Sequence, residues 1–380
     1  MRVYLDNAAT TPLDKEVFDT MTPFMLEHYG NPSSIHSHGR QVRAAIEGAR
    51  KTVASLINTS PAEIFFTSGG TEADNAAIIC TIRSLGLQHA ITSPLEHHAV
   101  LHSFESLEKR GEVQVSMLRV DEKGTLDLEH LEEMLASQPR TLVSIMHANN
   151  EIGNLNDLQA IADICKKYDA VLHSDTVQTM GHYKHDVQEL GINFLVGSAH
   201  KFHGPKGVGF IYVDSSIKIH PLIQGGSQER NMRGGTENVY GIIGLAKALE
   251  IAYRDMEDHH RHIQSLKDRM IYQLREQIED VQFNGLSSEA DKSLYTVLNV
   301  SLPASEMNEM LLFNLDINKI SASGGSACTS GVDLGSHVLR AMNADMSRGN
   351  VRFSFSKYNT AEEIDYTVAT LAKLYQKETV

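Results

Sequence analysis

Residues 63–86, EIFFTSGGTEADNAAIICTIRSLG, decide the fold class of this chain of 380 residues. The apolar run at their start is typical of a buried strand, the pair Gly69–Gly70 marks a turn, and the apolar residues that follow recur at helical spacing. A helical pattern over 38–57 precedes this unit, and further strands and helices alternate as far as GVGFIYV at 207–213. This alternation predicts an α/β fold with a mostly parallel sheet covered by helices on both faces.

The pattern changes after about residue 252. A polar helix is predicted over 255–280, and a shorter helix near 305–315. Strand-like stretches, YTVLNVSL at 295–302 and NVRFSFS at 350–356, alternate with these helices, and a terminal helix follows. This mixture predicts a second, smaller α+β domain that packs closely against the first.

Composition excludes several classes of protein. Hydrophobic residues make up 41% and charged residues 22%, as in ordinary globular chains, and no stretch approaches the roughly 18 consecutive apolar residues of a membrane span. The 34 Lys and Arg against 48 Asp and Glu give a net charge of −14, so direct nucleic-acid binding is not expected. The start of the chain has no apolar signal region, and we therefore expect a cytoplasmic protein without membrane contacts.

The three cysteines, Cys80, Cys165 and Cys328, are an odd number at wide spacing. This arrangement suits free thiols and matches no zinc pattern, so we expect no metal site, and the histidines at 259–262 are interpreted as a solvated helix face. Cys328 lies among Gly, Ser, Ala and Thr, whereas the other two lie in apolar helical patterns. Small neighbours leave a thiolate accessible, which predicts a reactive role for Cys328.

Two strand ends carry candidate catalytic side chains. Lys201 follows the strand INFLVGS, which predicts that its amine lies at the carboxyl edge of the sheet, where open α/β sheets bind ligands. Asp175 ends the strand AVLHSD, with Gln178 just beyond it. A carboxylate at this edge suits the protonated ring nitrogen of pyridoxal phosphate. A solvated surface lysine and an aspartate that caps the next helix would explain the same patterns.

Three further candidates follow strands or lie within one. Gly69, Gly70 and Thr71 join a strand to a helix, and backbone N–H groups at such a start suit a phosphate, although the chain has neither a P-loop nor a G-x-G-x-x-G motif. His97 could stack on a flat ring, relay a proton or simply begin a helix. Arg352 in VRFSFS is a candidate carboxylate clamp because its planar guanidinium can form two parallel hydrogen bonds.

Ten sequence blocks together carry a resemblance to a known family. The blocks are YLDNAATTP (4–12), YGNPSS (29–34), TSGGTEADN (67–75), LEHHAV (95–100), MHANNEIG (146–153), HSDTVQ (173–178), GSAHKFHGPKG (197–207), ERNMRGGTEN (229–238), SACTSG (326–331) and VRFSFS (351–356). In order and approximate spacing they resemble the NifS/IscS-like cysteine desulfurases of class V of the aminotransferase fold. The resemblance covers essentially the whole chain, and the block with Cys328 separates this group from plain aminotransferases.

The resemblance implies a pyridoxal 5′-phosphate-dependent enzyme of fold type I. Its large domain, residues 16–254, would contain a mostly parallel seven-stranded sheet flanked by helices. Its small domain, residues 1–15 and 255–380, would be α+β and would carry the loop with Cys328. A homodimer with its sites at the interface is also implied.

The resemblance also implies a role for each matched cofactor residue. Lys201 would bind the cofactor aldehyde, Asp175 the ring nitrogen and Gln178 the phenolic oxygen, while His97 would stack on the ring and take part in catalysis. The remaining cofactor contacts, mostly to the phosphate, would come from Gly70, Thr71, Ser198, His200 and the other subunit's Thr236.

The implied reaction removes sulfur from L-cysteine and gives L-alanine. Asn31, Asn150 and Arg352 would contact the substrate, and Cys328 would receive the sulfur as a persulfide. An acceptor protein would then take the sulfur for iron–sulfur cluster assembly or thiolation. A different class V enzyme, such as a selenocysteine lyase or an aminotransferase, is an alternative in which Cys328 is dispensable. A catalytically idle sulfur carrier or scaffold that takes up no cofactor is a third interpretation.

Overall fold

A computed structural model describes residues 1–324 and 335–375. The strands are β1 (Val3–Tyr4), β2 (Ile64–Thr67), β3 (His89–Thr92), β4 (Gln114–Met117), β5 (Leu142–Ser144), β6 (Val171–Ser174), β7 (Phe194–Ser198), β8 (Gly209–Val213), β9 (Gln282–Phe283), β10 (Val297–Leu302), β11 (Ile320–Ser321) and β12 (Gly349–Ser354). The α-helices are α1 (Lys15–Leu26), α2 (Ser37–Leu56), α3 (Gly70–Asn75), α4 (Thr81–Leu85), α5 (His98–Lys109), α6 (Leu128–Ser137), α7 (Leu158–Lys167), α8 (Val187–Leu190), α9 (Val239–Arg254), α10 (Met256–Gln277), α11 (Leu311–Ile317), α12 (His337–Ala341) and α13 (Ala361–Tyr375).

Seven strands form the central sheet in the order β2-β8-β7-β6-β5-β3-β4. The five strands from β7 to β4 in this order run parallel, and β8 alone is antiparallel to both of its neighbours, β7 and β2. The predicted mostly parallel, seven-stranded sheet is therefore confirmed.

Successive side chains of the central strands enter two different cores. In β7, Leu195 packs into the core that also contains residues of α1, α2, α6, α7 and α9, whereas Phe194 and Val196 pack on the other face with α3, α4 and α5. The alternation follows from the two-residue period of a strand. Helices thus cover both faces of the sheet. The carboxyl edge of its parallel strands is not covered in this way, and the residues that follow the strands lie there.

A second hydrophobic core lies beside the sheet. Strands β9, β10 and β12 form an antiparallel sheet, and α10, α11 and α13 contribute side chains to the same core. Val3 and Leu5 also belong to it, because β1 pairs with β11 in parallel. The first residues of the chain therefore pack with its C-terminal part. The domain boundaries at residues 15/16 and 254/255 stay a prediction.

Two predicted helices differ in detail from the structure. The helix expected after Gly70 contains a π-helical turn, Ala76–Cys80, between α3 and α4, so that residues 70–85 form one helical segment with a local widening. The helix expected near 305–315 begins as a 3-10 turn, Glu306–Met310, before α11. Apolar spacing does not distinguish these variants, which differ by a single hydrogen-bond step.

Among residues 1–324 and 335–375, no helix has the length and apolar character needed to cross a bilayer. In the same part of the chain, no group of three or more His, Cys, Asp or Glu side chains is arranged to hold a metal ion.

Candidate active site

A cavity of about 330 Å³ opens at the carboxyl ends of the central parallel strands. Ten of the thirteen residues predicted for the site line it: Gly70, Thr71, His97, Asn150, Asp175, Gln178, Ser198, His200, Lys201 and Arg352. They follow β2, β3, β5, β6 and β7, form the last residue of β7, or lie on β12 at the edge of the second core. Parallel strands end at the same edge of a sheet, which explains why residues so distant in sequence meet here.

Lys201 lies directly after β7, in the 3-10 turn Ala199–Lys201. Its Nζ donates hydrogen bonds to the backbone carbonyls of Ala8, at 2.5 Å, and Ala9, at 2.9 Å. Gln178 Nε2 also donates to the Ala8 carbonyl, at 3.1 Å. The amine is therefore held at the cavity wall by the N-terminal segment, rather than solvated on the surface.

Asp175 is a buried carboxylate just beyond β6. Its Oδ1 accepts a hydrogen bond from the backbone N–H of Val177 at 2.8 Å. Burial raises the pKa of Asp175, and the nearby His97, this backbone bond and Lys201 act against that rise. A cationic group placed in the cavity against this carboxylate would stabilise its ionised form.

Two more acids and a histidine surround Asp175 in the interior. Burial and the charge of Asp175 raise the pKa of Asp74 well above its usual range, and burial raises the pKa of Glu96 to about 8. Asp74 Oδ1 lies 3.3 Å from Nε2 of His173, whose pKa is lowered to about 3 by burial. Like charges in one buried cluster cannot all ionise, so burial together with Asp175 favours the protonated forms of Asp74 and Glu96. Sequence analysis missed both acids.

His97 caps a helix and lines the cavity. Its Nδ1 accepts a hydrogen bond from the backbone N–H of Ala99 at 3.1 Å and so caps α5, while the ring lines the cavity. A backbone N–H can only donate, so Nδ1 is unprotonated and Nε2 carries the hydrogen. Burial lowers the pKa of His97, with Asp175 acting in the opposite direction. The ring is thus a neutral, oriented face of the cavity.

The helical start at Gly70 forms a narrow cradle. A Cβ on Gly70 would lie 2.7 Å from Cγ2 of Val177, so a larger residue here would require Val177 to shift. Thr71, Ser198 and His200 border both the main cavity and an adjoining open pocket that also reaches Lys206. Hydroxyl, imidazole and N-terminal N–H groups of residues 70–85 together suit a phosphate group.

Arg352 enters the cavity from β12. Its Nη1 donates to the backbone carbonyl of Asn150 and its Nη2 to Oδ1 of Asp6, each at 2.8 Å. The side chain of Arg352 is 4% exposed, and its Nε has no hydrogen-bond partner among the described residues. Two contacts thus orient a planar cation at the cavity, and a guanidinium is suited to a carboxylate.

Three predicted site residues are not brought to this cavity. Thr236 borders a separate pocket of about 180 Å³, together with Ser68 and Glu237. Asn31 is exposed, and its Oδ1 accepts a hydrogen bond from the backbone N–H of Ser33 instead of facing the cavity. Cys328 lies outside the described residues.

Four titratable residues line the cavity without having been predicted: Asp74, His98, Glu151 and His337. Asp74, His98 and Glu151 fall inside quoted motifs, so motif membership was the available signal for them. His337 lies outside every quoted block, and its sequence surroundings gave no signal.

Comparison with known proteins adds evidence that is independent of this geometry. Residues 3–367 match the model of the family described as aminotransferase class-V. The chain is similar to cysteine desulfurase IscS of Dictyoglomus turgidum, with 46% identity over 99% of this chain and 95% of the relative. It is also similar to putative cysteine desulfurase IscS 1 of Bacillus subtilis, with 40% identity over the full length of both.

Solved structures agree with these relatives. A NifS-like protein superposes with a TM-score of 0.91 and 37% identity, over 98% of this chain and 99% of the other. A structure described as SspA in complex with cysteine superposes with a TM-score of 0.80 and 30% identity, over 95% of this chain and 100% of the other. The likeness extends over both hydrophobic cores and the cavity between the elements described above.

Proposed function

The chain belongs to the class-V aminotransferase family and is a cysteine desulfurase, and from this premise we propose how its own residues divide the work. One observation carries the proposal: a buried carboxylate, a lysine and an arginine meet in one cavity beside a helix start that suits a phosphate. One site then contains a carboxylate, a lysine that can act as a base, and groups that bind a carboxylate and a phosphate. A reaction on an amino acid requires these groups.

The residues present fit pyridoxal 5′-phosphate, the cofactor of this family. Asp175 offers a buried carboxylate to the ring nitrogen, and His97 offers a flat neutral ring to its face. The cradle that a Cβ on Gly70 would fill, with Thr71, Ser198 and His200 around it, suits the phosphate. Lys201 would hold the aldehyde and Gln178 the phenolic oxygen.

The bound cofactor supplies an electron sink for an amino acid attached through its amino group. Asp175 would offer its carboxylate to the ring nitrogen, and His97 would offer a flat ring to the cofactor's face. Arg352 binds the substrate carboxylate with Asn150 beside it, which positions the α-carbon. Lys201, at the cavity wall, then takes the α-proton as a base.

The sulfur step is proposed for Cys328. Its thiolate forms an S–S bond with the substrate sulfur while the C–S bond of cysteine breaks, and the carbon fragment gains one proton to become alanine. In total, cysteine and the enzyme thiol give alanine and an enzyme persulfide. The substrate carbon is reduced and the sulfur is oxidised to the persulfide level, so no external oxidant is needed.

The persulfide sulfur then passes to a thiol of an acceptor protein. A thiolate of the acceptor attacks the outer sulfur, forms a new persulfide and releases the Cys328 thiolate. Iron–sulfur cluster assembly and thiolation are the proposed uses of this sulfur. The names of the relatives, cysteine desulfurase IscS, support an acceptor-directed role.

Production of sulfide and alanine from L-cysteine with a reductant tests the proposal. We expect equal amounts of both products from the unmodified protein and none from Lys201→Ala or Cys328→Ala, with cofactor absorbance retained in the latter. Cys80→Ala is the matched control, because Cys80 is buried and its pKa is raised to about 11 by burial. Full activity of Cys328→Ala would show that the persulfide mechanism is wrong.

A homodimer is also proposed. Six large apolar side chains between residues 13 and 35 are exposed: Leu13, Phe18, Met25, Leu26, Tyr29 and Ile35. An exposed apolar surface of this kind is typical of an interface. In such a dimer, Thr236 would serve the other subunit's site, as the family resemblance implies. Sedimentation of the purified protein measures this, and a monomeric mass at micromolar concentration would contradict it.

A further inference from the structure

The pocket proposed for the phosphate has an acidic residue in its wall. Glu72 follows Thr71 in the first turn of α3 and lines the open pocket that adjoins the main cavity. The other titratable residues that line this pocket are His200 and Lys206. Burial and the charges of Lys201 and Lys206 lower the pKa of His200 to about 4, so its imidazole is neutral at neutral pH. An ionised Glu72 would therefore repel a phosphate bound here.

Hydrogen bonds hold the Glu72 carboxylate in its ionised form. Its Oε1 accepts from Nε of Arg233 at 3.0 Å, and its Oε2 accepts from Nη2 of Arg233 at 3.2 Å. The backbone N–H of Ser68, which also lines the pocket, donates to Oε2 at 2.9 Å. Burial acts to raise the pKa of Glu72, but these hydrogen bonds outweigh it and leave the pKa below its usual value. Glu72 is thus a negative charge at neutral pH.

Arg233 compensates this charge through two parallel hydrogen bonds. Such a bidentate pair is among the stronger contacts between an arginine and a carboxylate. The side chains of Arg233 and Glu72 are 26% and 10% exposed, so solvent screens their charges only in part. The pair as a whole adds no net charge to the wall of the pocket, whereas either partner alone would add one.

The segment that carries Arg233 is held firmly although its backbone is strained. Residues 229–231 contain no glycine, yet their φ angles are 44°, 55° and 69°. Consecutive left-handed residues of this kind are rare in proteins. Arg50 donates to both carboxylate oxygens of Glu229, at 2.7 and 2.8 Å, and the backbone N–H of Phe66 donates to Oε2 at 2.7 Å. Strain that the surroundings maintain is common beside functional sites, and here it fixes the direction from which Arg233 approaches.

We propose that Arg233 neutralises Glu72 and thereby allows the pocket to bind the cofactor phosphate tightly. This inference rests on the proposed function, which assigns the phosphate to Thr71, Ser198 and His200. Arg233 is a positioning residue, because it acts through Glu72 and not by contact with the phosphate. A phosphate ester carries up to about two negative charges near neutral pH, so an uncompensated carboxylate beside it would weaken binding.

A purely structural role for the pair leads to a different expectation. If the pair only joined the segment 228–236 to α3, loss of either partner would weaken cofactor binding in the same direction. Charge compensation instead predicts opposite directions. Loss of the Arg233 charge leaves an anion beside the phosphate, whereas loss of the Glu72 charge leaves a cation there.

Titration of the cofactor-free protein with pyridoxal 5′-phosphate and, separately, with pyridoxal tests the proposal. Pyridoxal lacks the phosphate, so it reports effects on the rest of the site. We expect the Kd for pyridoxal 5′-phosphate to rise about tenfold in Arg233→Gln and to stay equal or fall, by up to about threefold, in Glu72→Gln. The Kd for pyridoxal should change less than about twofold in both variants, because the altered charges act on the phosphate.

A double variant and a matched control complete the test. Glu72→Gln combined with Arg233→Gln removes both charges, and its Kd for pyridoxal 5′-phosphate should lie within about twofold of the unmodified value. Arg83→Gln is the control, because Arg83 forms the same kind of pair with Glu112, at 2.8 and 3.0 Å, at the other end of the helical segment 70–85. It should leave both constants unchanged. Thermal unfolding reports whether each variant is intact, and Glu72→Gln with the double variant decides if Arg233→Gln does not fold.

The possible failures are distinguishable. Weaker binding of pyridoxal 5′-phosphate in Glu72→Gln or in the double variant, or unchanged binding in Arg233→Gln, would overturn the assignment of Arg233 and leave the proposed function in place. If the unmodified protein bound pyridoxal 5′-phosphate no more tightly than pyridoxal, the pocket would not hold the phosphate. The proposed function and this inference would then both be wrong.

Discussion

Arg352 illustrates how two protein contacts prepare one side chain for a ligand. The Asn150 carbonyl and the Asp6 carboxylate hold opposite ends of its guanidinium at 2.8 Å. Both partners lie more than 200 positions away in sequence, so the arginine was predictable as a clamp whereas its orientation was not. Preorganisation of this kind reduces the entropic cost of binding a carboxylate.

Arg352→Lys should weaken substrate binding. An ammonium group cannot hold Asp6, the Asn150 carbonyl and a substrate carboxylate in one plane, so we expect the KM for L-cysteine to rise about 10- to 100-fold. Steady-state sulfide production measures this, with Arg269→Lys as the control because Arg269 forms an exposed pair with Asp365. An unchanged KM in Arg352→Lys would show that Arg352 does not bind the substrate carboxylate.

The central residues of the site could be predicted because they follow strands. Other site residues could not be predicted because only tertiary packing brings them there. Lys201 and Asp175 follow apolar strands, and that local pattern is enough to place them at one edge of a parallel sheet. Asp74 sits within a helix, and Glu96 in the turn before one, so their burial against Asp175 depends on contacts between separate elements. Local periodicity carries no information about such contacts.

At the scale of elements, the residue that caps the start of α5 also lines the cavity. His97 provides both the hydrogen-bond acceptor for its first turn and the ring that lines the site. The sequence suggested a stacked ring, a proton relay or a structural histidine as separate possibilities. The structure shows the capping role and places the ring at the cavity, because a side chain at the helix start can use one nitrogen for the cap and still expose its face. The stacked ring and the proton relay stay predictions.

Two substitutions separate these functions of His97. Asn is a good N-cap residue and Ala is a poor one, so His97→Ala should lower the free energy of unfolding by about 1 kcal/mol relative to His97→Asn. Both variants lose the ring, and both should bind pyridoxal phosphate less tightly than the unmodified protein. Chemical denaturation and cofactor titration measure the two effects. Equal stability of the two variants would contradict the capping role.

At the scale of the whole molecule, the second core contains an unusual buried charge. Lys267 on α10 is 0% exposed, and its Nζ donates to the Ser293 hydroxyl at 2.9 Å and to the Leu294 carbonyl at 2.7 Å. Burial lowers its pKa to about 7. Neutral oxygens rather than a carboxylate are its hydrogen-bond partners, which explains why the charged form is disfavoured.

Lys267 should make folding stability depend on pH above neutrality. The unfolded chain binds the lysine proton up to about pH 10.4, whereas the folded chain releases it near pH 7, so this residue's contribution to stability rises between those values. Lys267→Met should lack that rise. Denaturation at pH 7, 8, 9 and 10 measures it, with Lys51→Met as an exposed control. A pH dependence that Lys267→Met leaves unchanged would contradict the assignment.

The sheet was predictable at this scale because short apolar runs alternate with helical patterns along residues 38–213. The packing of Val3 and Leu5 with the C-terminal core came from family resemblance, since two-residue strands such as β1 and β11 leave no periodic signal. The pairing of the first residues with the C-terminal part therefore could not be predicted from local sequence patterns alone.

The path of the N-terminal segment has a practical consequence for handling the protein. Val3 completes a strand pair, the Ala8 and Ala9 carbonyls hold the amine of Lys201, and Thr11 donates to the His200 carbonyl at 3.0 Å. Met1 itself is 61% exposed. A purification tag fused at Met1 should be tolerated, whereas trimming even ten residues would strip the cavity of one wall.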